Sequence, residues 1–370
     1  MKIEQVSRCV NEIADLKLAQ DWDNVGFLVG DSNKEIKNIL VTIDVTRAVV
    51  EEAKKLNTDL ILSYHPVIWD GLKQVTSTGQ SEVVYELVRA GICVYSIHTA
   101  YDVAAGGVND QLADIVGIID AEPIGDFVDD PSGPAYKLVT FVPVENVNRV
   151  AAAIHNAGAG NIGNYSHCSF RSDGVGTFKP LDGANPAIGT KGKFERVSEI
   201  RLESIVPSDK IEAVIAALRK SHPYEEPAFD VFKHWDLERK LGLGRMGQLS
   251  EPTSLDEIIA NVKKVTGAKA VGIVGPDKRT VKKAAVCAGS CSRIINTVIA
   301  AGCDLYLTGE IKHHQALAAA ESSMTCLCLS HTVSERFALK NLVKKLQNRL
   351  KDVTIRIGKK DADPFNWKRL

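Results

Sequence analysis

Apolar and polar positions along the first part of the chain fall into two alternating rhythms. Ile39 to Val45, Leu60 to Ser63 and Ile92 to Ile97 are short, nearly unbroken apolar runs with the length of buried strands. Between them, Arg47 to Leu56 and Ser81 to Ala90 carry apolar residues at helical spacing, and Gly106-Gly107 opens another helical stretch. Strand and helix in alternation predict a mostly parallel sheet covered by helices. The rhythm returns from about Gly242, in the segments Val281 to Cys287, Ser292 to Ala301, Cys303 to Leu307, Gln315 to Ala320 and Thr325 to Leu329. A long amphipathic helix from Ser334 to about Leu350 closes it.

The middle of the chain has another character. Tyr136 to Val142 and Val197 to Ile205 read as strands, and Val144 to Ala157 and Asp209 to Ser221 as helices. A Gly- and Asn-rich stretch, Gly158 to Asn164, and a Gly/Pro-rich one, Gly174 to Gly192, lie between them. Two strand-helix units joined by such loops suit a ferredoxin-like α+β module. The segment Asp129-Asp130-Pro131-Ser132-Gly133-Pro134 makes a linker at its entrance.

Length and composition narrow the class. A chain of 370 residues exceeds one ordinary core, and 45% apolar with 25% charged residues are the proportions of a globular protein in water. The net charge of -1 supplies no field for nucleic acid or anionic lipid. No run reaches the roughly 18 apolar residues of a membrane helix, and Met1-Lys2-Ile3-Glu4-Gln5 lacks the pattern of a signal peptide, so the expected compartment is the cytoplasm. Eight irregularly spaced cysteines, two of them in Cys326-Leu327-Cys328, are expected to be free thiols. Cys287 and Cys291 have no second pair after them, which argues against a zinc ribbon.

The chemistry gathers where apolar runs end. His65 follows the second run, His98 and Asp102 the third, and His331 and Glu335 the strand that ends near Leu329. The carboxyl ends of strands are where open α/β sheets place ligands. His331 and Glu335 share one face if a helix begins by His331, and Pro66 disfavours helical geometry at His65. Together His65, Asp102, His331 and Glu335 form an imidazole and carboxylate set that suits zinc, with manganese or iron as alternatives, better than calcium. Glu310, Lys312, His313 and His314 follow the run that ends at Leu307 and are expected at the same edge. Glu310 is a candidate general base there, and His98 and His313 are expected to orient ligands from behind. In the middle region, His222-Pro223-Tyr224-Glu225-Glu226-Pro227 reads as a stiff turn whose carboxylates satisfy nearby backbone groups, with contact to a ligand or a neighbouring subunit as the alternative, and His167 and Cys168 read as packing residues in a strand-like context.

Several of these stretches fall together. Asp21-Trp22-Asp23-Asn24-Val25-Gly26, Tyr64-His65-Pro66, His98-Thr99-Ala100-Tyr101-Asp102, Gly106-Gly107-Val108-Asn109-Asp110, Cys287-Ala288-Gly289-Ser290, Thr308-Gly309-Glu310-Ile311-Lys312-His313-His314, Ser330-His331 through Ser334-Glu335, and Asp363-Pro364-Phe365 resemble the successive signatures of the GTP cyclohydrolase I type 2 homolog family, a dinuclear-metal-centre family. Gly163 to Cys168 and His222 to Glu226 resemble its longer bacterial members, which carry an inserted domain similar to the PII and CutA proteins. The resemblance implies an α/β fold in which residues 1–126 and 236–370 form one composite metal-binding domain, interrupted by an α+β insert over residues 127–235. It also implies one metal held by His65, Asp102 and Glu335, and a second held by the residue before His65, by His331 and by Glu335 as bridge.

That residue is Tyr64 where the family pattern has a histidine, and Ala100 and Tyr101 also depart from it. A phenol is a poor ligand near neutral pH unless the metal lowers its pKa. Tyr64 as phenolate, substitution by His313, or a weakly occupied second site are the three outcomes, and the last is the expectation. One or two ions per subunit, a small-molecule partner such as a nucleotide, no nucleic acid, no membrane and a homohexamer complete the implied picture. The implied activity is metal-dependent hydrolysis, most concretely the ring opening of GTP with release of formate; the alternative is a non-catalytic metal-binding regulatory assembly.

Overall fold

The computed structural model describes residues 1–128, 135–162, 165–233, 241–277 and 279–365. It is a mixed α/β structure with three sheets, and the chain divides into two compact units. One joins Met1–Val128 to Lys240–Leu370, and the other is Asp129–Arg239. The expected linker from Asp129 to Pro134 and the expected boundary at 235/236 lie outside the described residues.

In the first unit, a five-stranded sheet runs in the order Gly26–Val29, Cys93–Ser96, Leu60–Ser63, Asn38–Thr42, Thr354–Ile357. Leu60–Ser63 is central and buried at all four positions, which explains its unbroken apolar run. Only Gly26–Val29 pairs antiparallel in this sheet.

A six-stranded sheet follows the order Gly272–Val274, Thr325–Cys328, Leu305–Thr308, Thr280–Cys287, Leu241–Ser254, Ile118–Val128. Here the mostly parallel expectation gives way, because the long strand Leu241–Ser254 lies antiparallel to both Ile118–Val128 and Thr280–Cys287, and Gly272–Val274 is antiparallel to Thr325–Cys328. The two remaining pairings are parallel. A continuous apolar core takes residues from both sheets, among them Leu62, Tyr95, Val286 and Leu307.

The expected helix from Ser334 to Leu350 is two helices, His331–Arg336 and Leu339–Arg349. The Ala338 amide reaches back three residues to the Glu335 carbonyl, and this tight turn breaks the four-residue ladder. The cysteine expectation also needs correction. Cys287 and Cys291 are disulfide-bonded, because the turn at Gly289 brings their Cα atoms to 6.0 Å, while six others are free.

The second unit has an antiparallel sheet in the order Phe170–Phe178, Glu195–Pro207, Ala135–Pro143, Phe229–Lys233. Helices Val147–Asn156 and Ile211–Ser221 bury Val150, Ile154, Val214 and Leu218 with Leu138, Val142, Leu202 and Val206 of the sheet. A strand runs through Gly174 and Gly176, inside a stretch whose composition reads as loop. His167 is not a packing residue: it is exposed, at positive φ, just before that strand.

Candidate metal centre

Three chain segments deliver the site within the first unit. Past Ser63 the backbone stays pinned, with the Tyr64 amide donating to Thr42 O at 2.8 Å and the His65 amide to Ile43 O at 2.9 Å. The His98 amide donates to Tyr64 O at 2.9 Å, which ties the second segment to the first. The third enters through Ser330, at φ 81°, so that His331 begins a helix and Glu335 lies one turn later on the same face.

Glu335 sits between two imidazoles. Its Oε1 is 3.2 Å from His331 Nε2 and its Oε2 3.4 Å from His65 Nε2. One ligand atom from each of these three residues lies within 4.8 Å of the others. Each imidazole has a carboxylate behind it: His65 Nδ1 is 2.9 Å from Asp44 Oδ1, and His331 Nδ1 is 3.0 Å from Glu310 Oε1. Carboxylates in that position fix a histidine's tautomer and ring plane and turn Nε2 toward the centre. Glu335 is buried, and its Oε2 makes no well-formed hydrogen bond. A buried carboxylate oxygen without a donor is costly in a closed core and natural at a cation site.

The electrostatics point the same way. Burial would raise the Glu335 pKa, but His331 and His65 outweigh it and hold the carboxyl near 2. Burial likewise opposes charge on His65, yet Asp44 and then Glu335 lift its pKa to about 10. For His331, Glu335 and Glu310 overcome burial and raise the value to about 9. A field that holds protons on two imidazoles is one that a divalent cation can replace them in.

Asp102 stands apart from the three-residue cluster but lines the same cavity. Burial raises its pKa to about 7, and it accepts a hydrogen bond from the Tyr64 hydroxyl. Burial, followed by the charges of Asp102 and Glu335, drives the Tyr64 pKa well above its ordinary value. Tyr64 therefore acts here as a neutral donor to a carboxylate.

Gly289, at φ +65°, shows how tightly the cluster is enclosed. A Cβ there would lie 2.5 Å from Glu335 Oε1. The Gly289 amide donates to Ser334 Oγ at 2.9 Å, and its carbonyl accepts from the Glu310 amide at 3.1 Å, so one turn braces both Glu335 and Glu310.

His98 is oriented by Asp23, whose Oδ1 is 2.9 Å from His98 Nδ1 and whose Oδ2 accepts from the Thr99 amide and hydroxyl. His313 is not behind the cluster. It is exposed at the start of the helix His313–Glu321, with its ring 5.6 Å from that of His314, and it is absent from the cavity wall. The residues behind the imidazoles are instead Asp44 at His65, Glu310 at His331 and Asp23 at His98, none of them assigned that role from sequence. Asp44 lies two residues past the strand Asn38–Thr42, the kind of position that marked His65, and could have been found by it. The cavity holds about 580 Å³, and its wall includes His65, His98, Asp102, Glu310, His331 and Glu335.

Fold and site define a mixed α/β protein with a partly buried His/His/Glu cluster that can hold a metal ion. The chain belongs to the family described as Duf34/NIF3 (NGG1p interacting factor 3), whose model matches residues 1–364. It is 37% identical over 369 residues to a Bacillus subtilis protein named GTP cyclohydrolase 1 type 2 homolog, covering 98% of each chain. It is 38% identical over 326 residues to a Mycobacterium tuberculosis protein of the same name, covering 86% of this chain and 84% of that one. The crystal structure of a Bacillus cereus protein related to NIF3 superposes with a TM-score of 0.85 at 33% identity, covering 100% of this chain and 99% of that one. Among the described residues no helix is long and apolar enough to cross a membrane.

Proposed function

We propose that this protein is a metal-dependent hydrolase acting on GTP or a related nucleotide. The observation that carries the reading is the convergence of His65, His331 and Glu335 in one cavity, each imidazole backed by a carboxylate. The name shared by the relatives adds the substrate class. In this reading His65, Asp102, His331 and Glu335 hold zinc, or manganese or iron in its place. A second ion is held weakly, because Tyr64 stands where an imidazole would serve it. A divalent ion held by these residues would supply Lewis acidity and lower the pKa of a bound water toward neutrality. Glu310, half-exposed on the wall, takes the proton. His98, oriented by Asp23, holds its ring at the cavity wall. One water would add at the imidazole carbon of the purine and open the ring to a formamide, and a second water would cleave the formamide C–N bond, releasing formate and leaving the free amine.

In the same reading the protein works in the cytoplasm as a homohexamer whose partner is a small molecule and neither nucleic acid nor membrane. Residues 1–126 and 236–370 form the composite metal domain, and residues 127–235 a ferredoxin-like insert of the PII/CutA kind. Incubating the zinc-, manganese- or iron-loaded chain with GTP is expected to release formate and a pterin precursor; no turnover with any of the three would overturn the hydrolase reading.

A regulatory assembly without catalysis is the second reading, and the second unit favours it. That unit holds a cavity of about 730 Å³ walled by Phe141, Phe178, Leu181, Glu199 and Tyr224. Metabolite binding to the full chain without turnover would support this reading.

A further inference from the structure

Two large aromatic side chains stand at the metal cavity without being part of the cluster. Trp22 is 55% exposed and Trp69 54% exposed, and both line the cavity wall. An exposed indole leaves a large apolar area in water, and two on one cavity wall mark a recognition surface rather than packing. They are also held in place. The ring of His98, fixed by Asp23, meets Trp69 edge-to-face at 5.3 Å and Trp22 at 5.9 Å, and Trp69 lies 5.9 Å from the ring of His65.

We infer that Trp69 and Trp22 form the stacking platform for a flat, amino-bearing heteroaromatic ring, which they carry to the edge of the metal cluster. Aromatic stacking supplies the flat partner. The carboxylates of Asp44 and Glu310 on the same wall make the site acceptor-rich, which matches ring N–H and exocyclic amino groups better than ring carbonyls. The ring of Trp69 meets those of both His65 and His98, so a ring lying on it is within reach of the cluster, whereas the ring of Trp22 meets that of His98. Trp69 is therefore the main platform and Trp22 the outer wall. The inference rests on the nucleotide reading and adds which residues hold the base.

The test is binding rather than turnover. The metal-loaded full chain is titrated calorimetrically with GMP and, separately, with ribose 5-phosphate, which keeps the sugar and phosphate but lacks the ring. GMP is expected to bind at least tenfold more tightly. Trp69→Ala is expected to weaken GMP by about 5- to 150-fold, the range for loss of one stacking partner, and Trp69→Phe to recover most of that loss. Neither change should alter metal content or the response to ribose 5-phosphate.

Equal binding of the two ligands, no GMP binding at millimolar concentration, or wild-type GMP affinity in both Trp69→Ala and Trp22→Ala would overturn the inference. So would a change in particle mass on Trp69→Ala without a change in ring selectivity, because the indoles would then be covered by a second copy of the chain. GMP binding that passes these tests beside a failure to hydrolyse GTP would overturn the hydrolase reading alone.

Discussion

Two cavities of this molecule treat their buried carboxylates in opposite ways. In the second unit, Glu199 accepts from the Tyr224 hydroxyl at 2.7 Å, and Tyr224 is itself held by His222, whose Nδ1 accepts from the Tyr224 amide and whose Nε2 donates to Phe141 O. Arg201 donates to Glu203, and Glu225 accepts from the Asn185 amide. The polar groups there close on one another, as expected for a structural turn. In the first unit the hydrogen bonds run inward: Asp44 and Glu310 orient imidazoles whose Nε2 atoms face Glu335, and a Glu335 oxygen is left without a well-formed partner. A network satisfied at its periphery and open at its centre is built around something that occupies the centre. Burial alone does not distinguish the two cavities; the direction in which their hydrogen bonds close does.

Removing the centre of the open network should have the largest effect. Glu335→Gln keeps the shape but takes away the charge shared by His65 and His331, and it should lower zinc affinity by more than the roughly 100-fold upper end seen for outer partners. Competition against a chromophoric chelator measures it. Wild-type affinity in this variant would show that the cluster is not a metal site.

Asp44→Asn and Glu310→Gln act one step further out. Each should cost about 10- to 100-fold in zinc affinity by loosening an imidazole rather than deleting a ligand. The same competition assay applies, with Glu199→Gln in the second unit as the contrast: its zinc affinity should equal wild type. A loss there comparable to that of Asp44→Asn would erase the distinction between the cavities.

The sequence made parts of this contrast readable and hid others for a physical reason. Leu60–Ser63 is legible because it is buried on both faces and therefore apolar without interruption. Phe170–Phe178 is not, because its residues are mostly exposed and two of them are glycines, so neither periodicity nor propensity marks it as a strand. His65, His331 and Glu335 stand out because each follows a buried strand. That Asp44 pairs with His65 and Asp23 with His98 is not legible, because the partners are 21 and 75 residues apart and pairing at that range belongs to the fold. His313 was attractive through its neighbourhood in sequence, yet the helix it begins turns it to solvent.

Asp23 offers a test through pH. Burial would raise its pKa, but the contact with His98 and the hydrogen bonds from Thr99 outweigh burial and hold it below the ordinary carboxylate value. A carboxyl with a depressed folded-state pKa stabilises the fold above its unfolded pKa, and that contribution is lost as pH falls through the folded value. Asp23→Asn should therefore be less stable than wild type at neutral pH, by about 1–3 kcal/mol for hydrogen bonds to a charged group. The difference should shrink as the pH is lowered below the carboxylate range. Urea unfolding at several pH values measures it, and a pH-independent difference would remove the ionised carboxylate from the explanation.

The smallest effect is expected in the closed network. Tyr224→Phe deletes only the hydroxyl that Glu199 accepts from, while the ring that packs against Phe178 and His222 remains. The cost should be about 1 kcal/mol or somewhat more, since Glu199 loses a donor in a mostly buried position. Metal affinity should not change, because the hydrogen bonds of this network run among residues of the second unit. Urea unfolding gives the stability and the chelator assay the affinity. If Tyr224→Phe weakened zinc binding while leaving stability unchanged, the second cavity could not be regarded as electrostatically self-contained, and the contrast between an open and a closed network would fail at its simpler end.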